Sequence, residues 1–235
     1  MELFHPFGAA HFGALGVIAA IGVAMVLVGR RLGERGKILM GRVLAGMLVA
    51  YAVVAYTRKF ASPEVRWGDS LPLHLCDWVL VLCVIGLLRE GRRVRELAYF
   101  WGLAGSIHGL VTPDLRTNFP QWGFFQFFWG HGGVVLAVVF FLGVRVLRPA
   151  RGSAWLAFVC LNVYAAMVGM LDAAFGWNYG YLCHTPSQPS LLDHLGPMPW
   201  RLLGMEAIAM ASFALLALPW RLAEREATLR TSRSG

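Results

Sequence analysis

Residues Phe12 to Gly29 read FGALGVIAAIGVAMVLVG, eighteen positions without a charge or a proline. A helix needs about 20 predominantly apolar residues to cross the roughly 30 Å hydrocarbon layer of a bilayer, so this stretch reads as a membrane span. Nothing basic precedes Arg30, and the run is long for a signal-peptide core, so a retained helix is expected rather than a cleaved leader. Six further runs follow, at Ile38 to Tyr56, Leu71 to Leu88, Leu97 to Val111, Trp122 to Val144, Ala154 to Phe175 and Leu202 to Trp220. The fold class expected is an all-α, polytopic membrane bundle of seven transmembrane helices.

Composition agrees. Of 235 residues 57% are hydrophobic and 14% charged, against about 25% charged in soluble domains, which excludes an ordinary soluble enzyme. The formal charge of +8 would suggest nucleic acid in a soluble protein. In so apolar a chain it points to the anionic surface of a membrane, and no nucleic-acid partner is expected. The cysteines, Cys76, Cys83, Cys160 and Cys183, form no CxxC pair, so neither a disulfide scaffold nor a zinc-ribbon site is expected.

Lysine and arginine set the orientation, because cytoplasmic loops collect them. Alternate connections hold Arg30, Arg31, Arg35, Lys37; Arg89, Arg92, Arg93, Arg95; Arg145, Arg148, Arg151; and Arg221, Arg225, Arg230, Arg233, fifteen in all. The other connections hold five: Arg58, Lys59, Arg66, Arg116 and Arg201. This split places the N-terminus outside and the C-terminus in the cytoplasm, in a multi-pass protein of the cell (plasma) membrane. The expected organisation is one membrane domain over 1–223, with an outer lid loop at 176–201, and a polar cytoplasmic tail over 224–235 that frays.

Ionisable groups within the spans cost about 2.5 to 3.5 kcal/mol each even on lenient insertion scales, so each needs a reason. They are His74, Asp77, His108, His131, Asp172, Glu206 and Arg42. At about 1.5 Å per residue, all but Arg42 fall in the outer half of the bilayer, with Asp77 about 9 Å and His131 about 14 Å in. Arg42 sits near the cytoplasmic end, where its stem can snorkel. Convergence of five helices on one depth implies an outward-open polar pocket; the alternative is that each group merely pairs with a neighbouring helix. Cys76 shares this layer. His131, at comparable depth, is the expected base for its thiol, whereas a regular helix turns His74 and Cys76 to nearly opposite sides.

Four segments carry a resemblance. Leu71-Pro72-Leu73-His74-Leu75-Cys76-Asp77, Thr112-Pro113-Asp114, His131-Gly132, and Asn178-Tyr179 through Ser190-Leu191-Leu192-Asp193-x-Leu195-Gly196-Pro197 resemble the YwaF family of bacterial integral membrane proteins. More distantly the chain resembles a eukaryotic acyltransferase acting on ether phospholipids and the androgen-induced intramembrane hydrolases of fatty-acid esters. The resemblance implies acyl chemistry with a Cys/His pair, the histidine matching His131. The eukaryotic Pro-Cys-His motif, laid on Pro72 and His74, puts Leu73 at the cysteine position, and Cys76 lies about one turn further on.

Three functions are therefore in view. The first is a lipid acyl hydrolase or acyltransferase with Cys76 and His131 as catalytic residues. His74, Asp77, His108, Asp172, Asp193 and Glu206 would line or support the pocket, and Asn178 or Tyr179 from the lid would hold the oxyanion. A membrane phospholipid or other acyl lipid would be its partner, with no cofactor and no metal. The second is a transporter, receptor or sensor binding a small molecule in the same pocket. The third is a metal-dependent hydrolase using His74, His108, His131, Asp77 and Asp172.

Overall fold

The structure is a computed structural model that describes residues 3–63, 65–186 and 190–233. Its regular elements are α1 (Ala9–Arg31), α2 (Glu34–Phe60), the single turn α3 (Trp67–Ser70), α4 (Leu75–Leu88), α5 (Arg92–Val111), α6 (Trp122–Gly143), α7 (Ser153–Phe175) and α8 (Trp200–Arg233). Two 3-10 turns, Tyr179–Tyr181 and Leu191–His194, lie in the loop before α8. The described residues form no β-sheet; one isolated bridge joins Leu3 to Thr117. The fold is an all-α helical membrane bundle. Five helices (α1, α2, α6, α7 and α8) are long and apolar enough to cross a membrane, while α4 is apolar but shorter.

Three boundaries differ from the expectation, for separate reasons. The predicted span beginning at Leu71 becomes a helix only at Leu75, because Pro72 disfavours helical geometry in the residue before it and the Asp77 side chain accepts the His74 N–H at 3.0 Å. α5 starts five residues early, at Arg92, and α8 runs to Arg233, through the stretch expected to fray. Hydropathy marks the lipid boundary, whereas Arg, Glu, Ala and Leu continue a helix past it.

The core lies between α2, α4, α5 and α6, around the fully buried Leu48, Cys83, Phe100, Val138 and Phe141. Without a hydrophobic force to drive helices together in lipid, close backbone approach supplies the packing. α6 provides it through Gly130, Gly132 and Gly133. A Cβ at these positions would meet the Tyr51 hydroxyl at 2.5 Å, Ile18 at 2.6 Å and Leu48 at 2.7 Å.

The arginine-rich connections meet at one end of the bundle. Arg30 donates to Gly143 O, Arg145 pairs with Glu34 and Glu90, Arg92 donates to Arg148 O, and Arg151 pairs with Glu224. The opposite end gathers the N-terminal segment, 65–74, 112–121 and the loop before α8.

Candidate functional site

α4 opens inside the bundle. Its 14 residues span about 21 Å, too little to cross the hydrocarbon alone, and the extended Leu71–His74 segment leads into it. Non-helical backbone at such depth persists only where protein or a water-lined cavity satisfies it. Here tyrosines do so. Tyr164 Oη donates to Leu73 O at 2.8 Å, and Tyr179 Oη accepts from Leu71 N at 2.9 Å while donating to Trp67 O at 2.5 Å.

Cys76 is the second residue of α4. It is exposed, and side chains of α2, α7 and the loop before α8 stand around it to form an open recess. Tyr51, Tyr56 and Lys59 of α2, Asp77, Tyr164 of α7 and Tyr181 of the loop all lie within electrostatic range of its thiol. Cys83, two turns along the same helix, is fully buried in the core. The Leu75 N–H carries no acceptor among the described residues, as a first-turn amide does unless capped, whereas the Cys76 and Asp77 N–H groups face the Cys76 sulfur.

Asp77 is the hub. Its carboxylate takes the His74 N–H, faces the Tyr56 hydroxyl, and lies within electrostatic range of both His74 and His131. The His131 ring stacks on Phe127 at 4.3 Å, and its Nδ1 lies 3.1 Å from Phe127 O. A carbonyl only accepts, so the neutral ring carries its proton on Nδ1 and keeps Nε2 as the basic nitrogen. No hydrogen bond joins Cys76 to His131 among the described residues; Asp77 is the group near both.

The other predicted residues are placed elsewhere. His74 stands at the start of α4 with its ring against Tyr179 at 4.9 Å and Tyr181 at 6.0 Å. His108 is exposed and bonded to Ala104 O of its own helix at 2.6 Å, away from the recess contacts. Glu206 accepts from Asn162 at 3.1 Å, joining α8 to α7. Asp172 is buried, accepts Tyr179 N through Oδ1 at 3.0 Å and leaves Oδ2 without a partner among the described residues. Asn178 spends its carboxamide on Cys183 N, His184 N and His184 O, which closes the loop on itself. With Tyr179 buried and doubly bonded, both lid residues named for the oxyanion are engaged in holding the loop. Asp193 caps the second 3-10 turn, accepting Ser190 N at 2.7 Å; that bond, with Thr185, holds its carboxyl below the ordinary value. The lid expected at 176–201 includes 187–189, which lie outside the described residues.

Among the described residues no three His, Cys, Asp or Glu side chains are grouped to hold a metal ion, so the ligand set of the metal-dependent alternative is not assembled. Sequence reasoning missed Tyr51, Tyr56, Lys59, Tyr164 and Tyr181. The available signal was the hydroxyl: a tyrosine inside an apolar helix needs a partner as surely as a histidine does.

A polytopic helical membrane protein with a thiol-bearing, tyrosine-lined recess is the class that fold and site define. The chain belongs to the TMEM164 family, whose sequence profile matches residues 6–217. No curated protein and no solved structure matches it.

Proposed function

We propose that this chain is an integral membrane lipid acyl hydrolase or acyltransferase with Cys76 as nucleophile. The observation that carries the reading is the accessible thiol at the first turn of α4, set among hydroxyls and a carboxylate while Cys83 is sealed. The resemblance to the YwaF proteins, the ether-phospholipid acyltransferase and the androgen-induced hydrolases points to the same chemistry. In this reading the recess opens toward the outer leaflet of the cell (plasma) membrane, as the fifteen-to-five split of basic residues favours.

The step balances as follows. His131 Nε2, through a bridging water, takes the Cys76 proton; sulfur attacks the ester carbonyl, and its oxygen becomes an anion. The free N–H of Leu75 stabilises that anion. Collapse breaks the ester C–O bond, and imidazolium returns the proton to the departing alcohol, leaving a thioester. Water, or the hydroxyl of a second lipid, then attacks the thioester with His131 again as base, releasing acid or new ester and restoring the thiol. Asp77, His74, Tyr56 and Tyr181 position these groups.

The lack of a direct Cys76–His131 hydrogen bond favours a second reading, a binding pocket for a small acyl molecule in a transporter, receptor or sensor. Labelling purified protein with an alkyne-bearing acyl β-lactone separates the two. In the catalytic reading Cys76→Ala abolishes labelling, Cys83→Ala leaves it unchanged, and His131→Ala slows it by about 10²-fold, the usual scale of a lost general base. Labelling that survives both Cys76→Ala and His131→Ala removes the chemistry. Slow labelling that depends on Cys76 but ignores His131 supports the binding pocket.

A further inference from the structure

At the end of the bundle opposite Cys76, the C-terminus of α4, the N-terminus of α5 and the segment after α6 border a wide, open cleft of about 460 Å³ lined by Glu90, Arg92, Arg95, Arg145, Val146, Leu147 and Arg148. Four guanidinium groups against one carboxylate line it. Protein groups partly engage three of them. Arg145 reaches Glu34 and Glu90, Arg95 is tied to Gly86 O and Arg89 O, and Arg92 bridges Glu96 and Arg148 O. These ties hold the side chains in place while leaving donors over on each, since a guanidinium carries five. The Arg148 guanidinium makes no hydrogen bond or ion pair among the described residues.

Two further features converge on the cleft. α5 begins there after Gly91, with no side chain capping its first amides, so the positive end of a 20-residue helix adds to the arginines. On the rim stands Val146, 63% exposed and held at φ 52, a left-handed conformation that β-branched residues seldom adopt. The preceding turn explains it: Arg145 N and Leu147 N bond back to Phe140 O and Phe141 O, which turns the Arg145 side chain inward and Val146 out. The arginine-lined cleft thus has an apolar lip at Val146.

We infer that this cleft binds a phosphate-ester anion, and that its apolar lip suits the headgroup of an anionic phospholipid in the leaflet at the arginine-rich end. Arginine's planar fork matches phosphate oxygens two at a time, and basic pockets between membrane helices are suited to such headgroups. The cleft shares no residue with the Cys76 recess, so the inference stands or falls apart from the acyl chemistry.

The test uses the full chain in neutral detergent and native mass spectrometry, with phosphatidylglycerol, phosphatidylcholine and inorganic phosphate as probes. One phosphatidylglycerol retained per chain, at least about tenfold tighter than phosphatidylcholine and weakened about tenfold by Arg148→Gln, supports a lipid headgroup. Inorganic phosphate binding with the same dependence on Arg148, without phosphatidylglycerol, supports the anion site with a soluble ligand. Equal retention of phosphatidylcholine, binding of neither anion, or anion binding indifferent to Arg148→Gln overturns the inference. Arg148 has no partner to orphan, so this variant is expected to fold; Arg225→Gln on α8 serves as the matched loss of charge and should change nothing.

Discussion

The two ends of the bundle are tied together by opposite means. Around Cys76 the ties are neutral: tyrosine hydroxyls meet backbone carbonyls and amides, and Asp77 takes a backbone N–H. At the arginine-rich end they are ionic, with Arg145 held by Glu34 and Glu90 and Arg151 by Glu224. Desolvating an ion pair costs more than desolvating a hydroxyl, so charges gather where water is plentiful and neutral donors serve where it is scarce. The recess surrounds the Asp77 carboxylate with donors, and Asp114 takes the Tyr181 hydroxyl at its edge.

The largest expected effect separates thiols on one helix. Cys76→Ala should remove lactone labelling completely while Cys83→Ala retains it, read by in-gel fluorescence; equal labelling of both variants would erase the functional distinction between recess and core. Next comes the neutral network. Tyr179→Phe leaves the part-buried Leu71 N–H and Trp67 O without their shared partner and should cost about 0.5–1.5 kcal/mol, seen as a lower Tm in detergent. An unchanged Tm would mean the loop is not what holds the entry to α4.

Gly130→Ala tests whether close packing positions the recess. The added methyl collides with the Tyr51 hydroxyl, so a destabilisation of about 1–3 kcal/mol is expected, together with slower labelling of Cys76. Loss of stability with labelling unchanged would detach Tyr51 from the site. The smallest effect concerns Asp193, whose carboxyl is held below its ordinary value chiefly by Ser190 N. A depressed carboxyl stabilises above its unfolded pKa and loses that contribution as pH falls through the folded value. Amide exchange at Leu192 and Asp193, corrected for intrinsic rates, should therefore show protection at pH 6 that declines below about pH 4, and Asp193→Asn should flatten the profile.

Much of the framework was legible in order alone. Seven apolar runs correspond to seven helices, α4 being the short one, and the alternation of basic loops grouped the connections that meet at the arginine-rich end. Apolar length and charge distribution act locally along the chain, because lipid and water sort each segment by its own composition. The layer around Asp77 was partly legible for the same reason: an intramembrane carboxylate or imidazole stands out against its neighbours.

Which of those groups meet was decided by tertiary structure. His74 and His131 each come within range of Asp77, whereas His108 is exposed and Glu206 pairs with Asn162. Helix phase across His74 and Cys76 presumes a regular first turn, whereas the chain is extended at His74 and the helix begins only at Leu75; the His74 ring meets Tyr179 and Tyr181 of the loop. Depth fixes a residue's height in the bilayer, but its azimuth depends on helix rotation and on where each helix starts. Those are set by the glycine contacts of α6 and by tyrosines reaching in from α7 and the loop, interactions between residues up to about a hundred positions apart that no local pattern encodes.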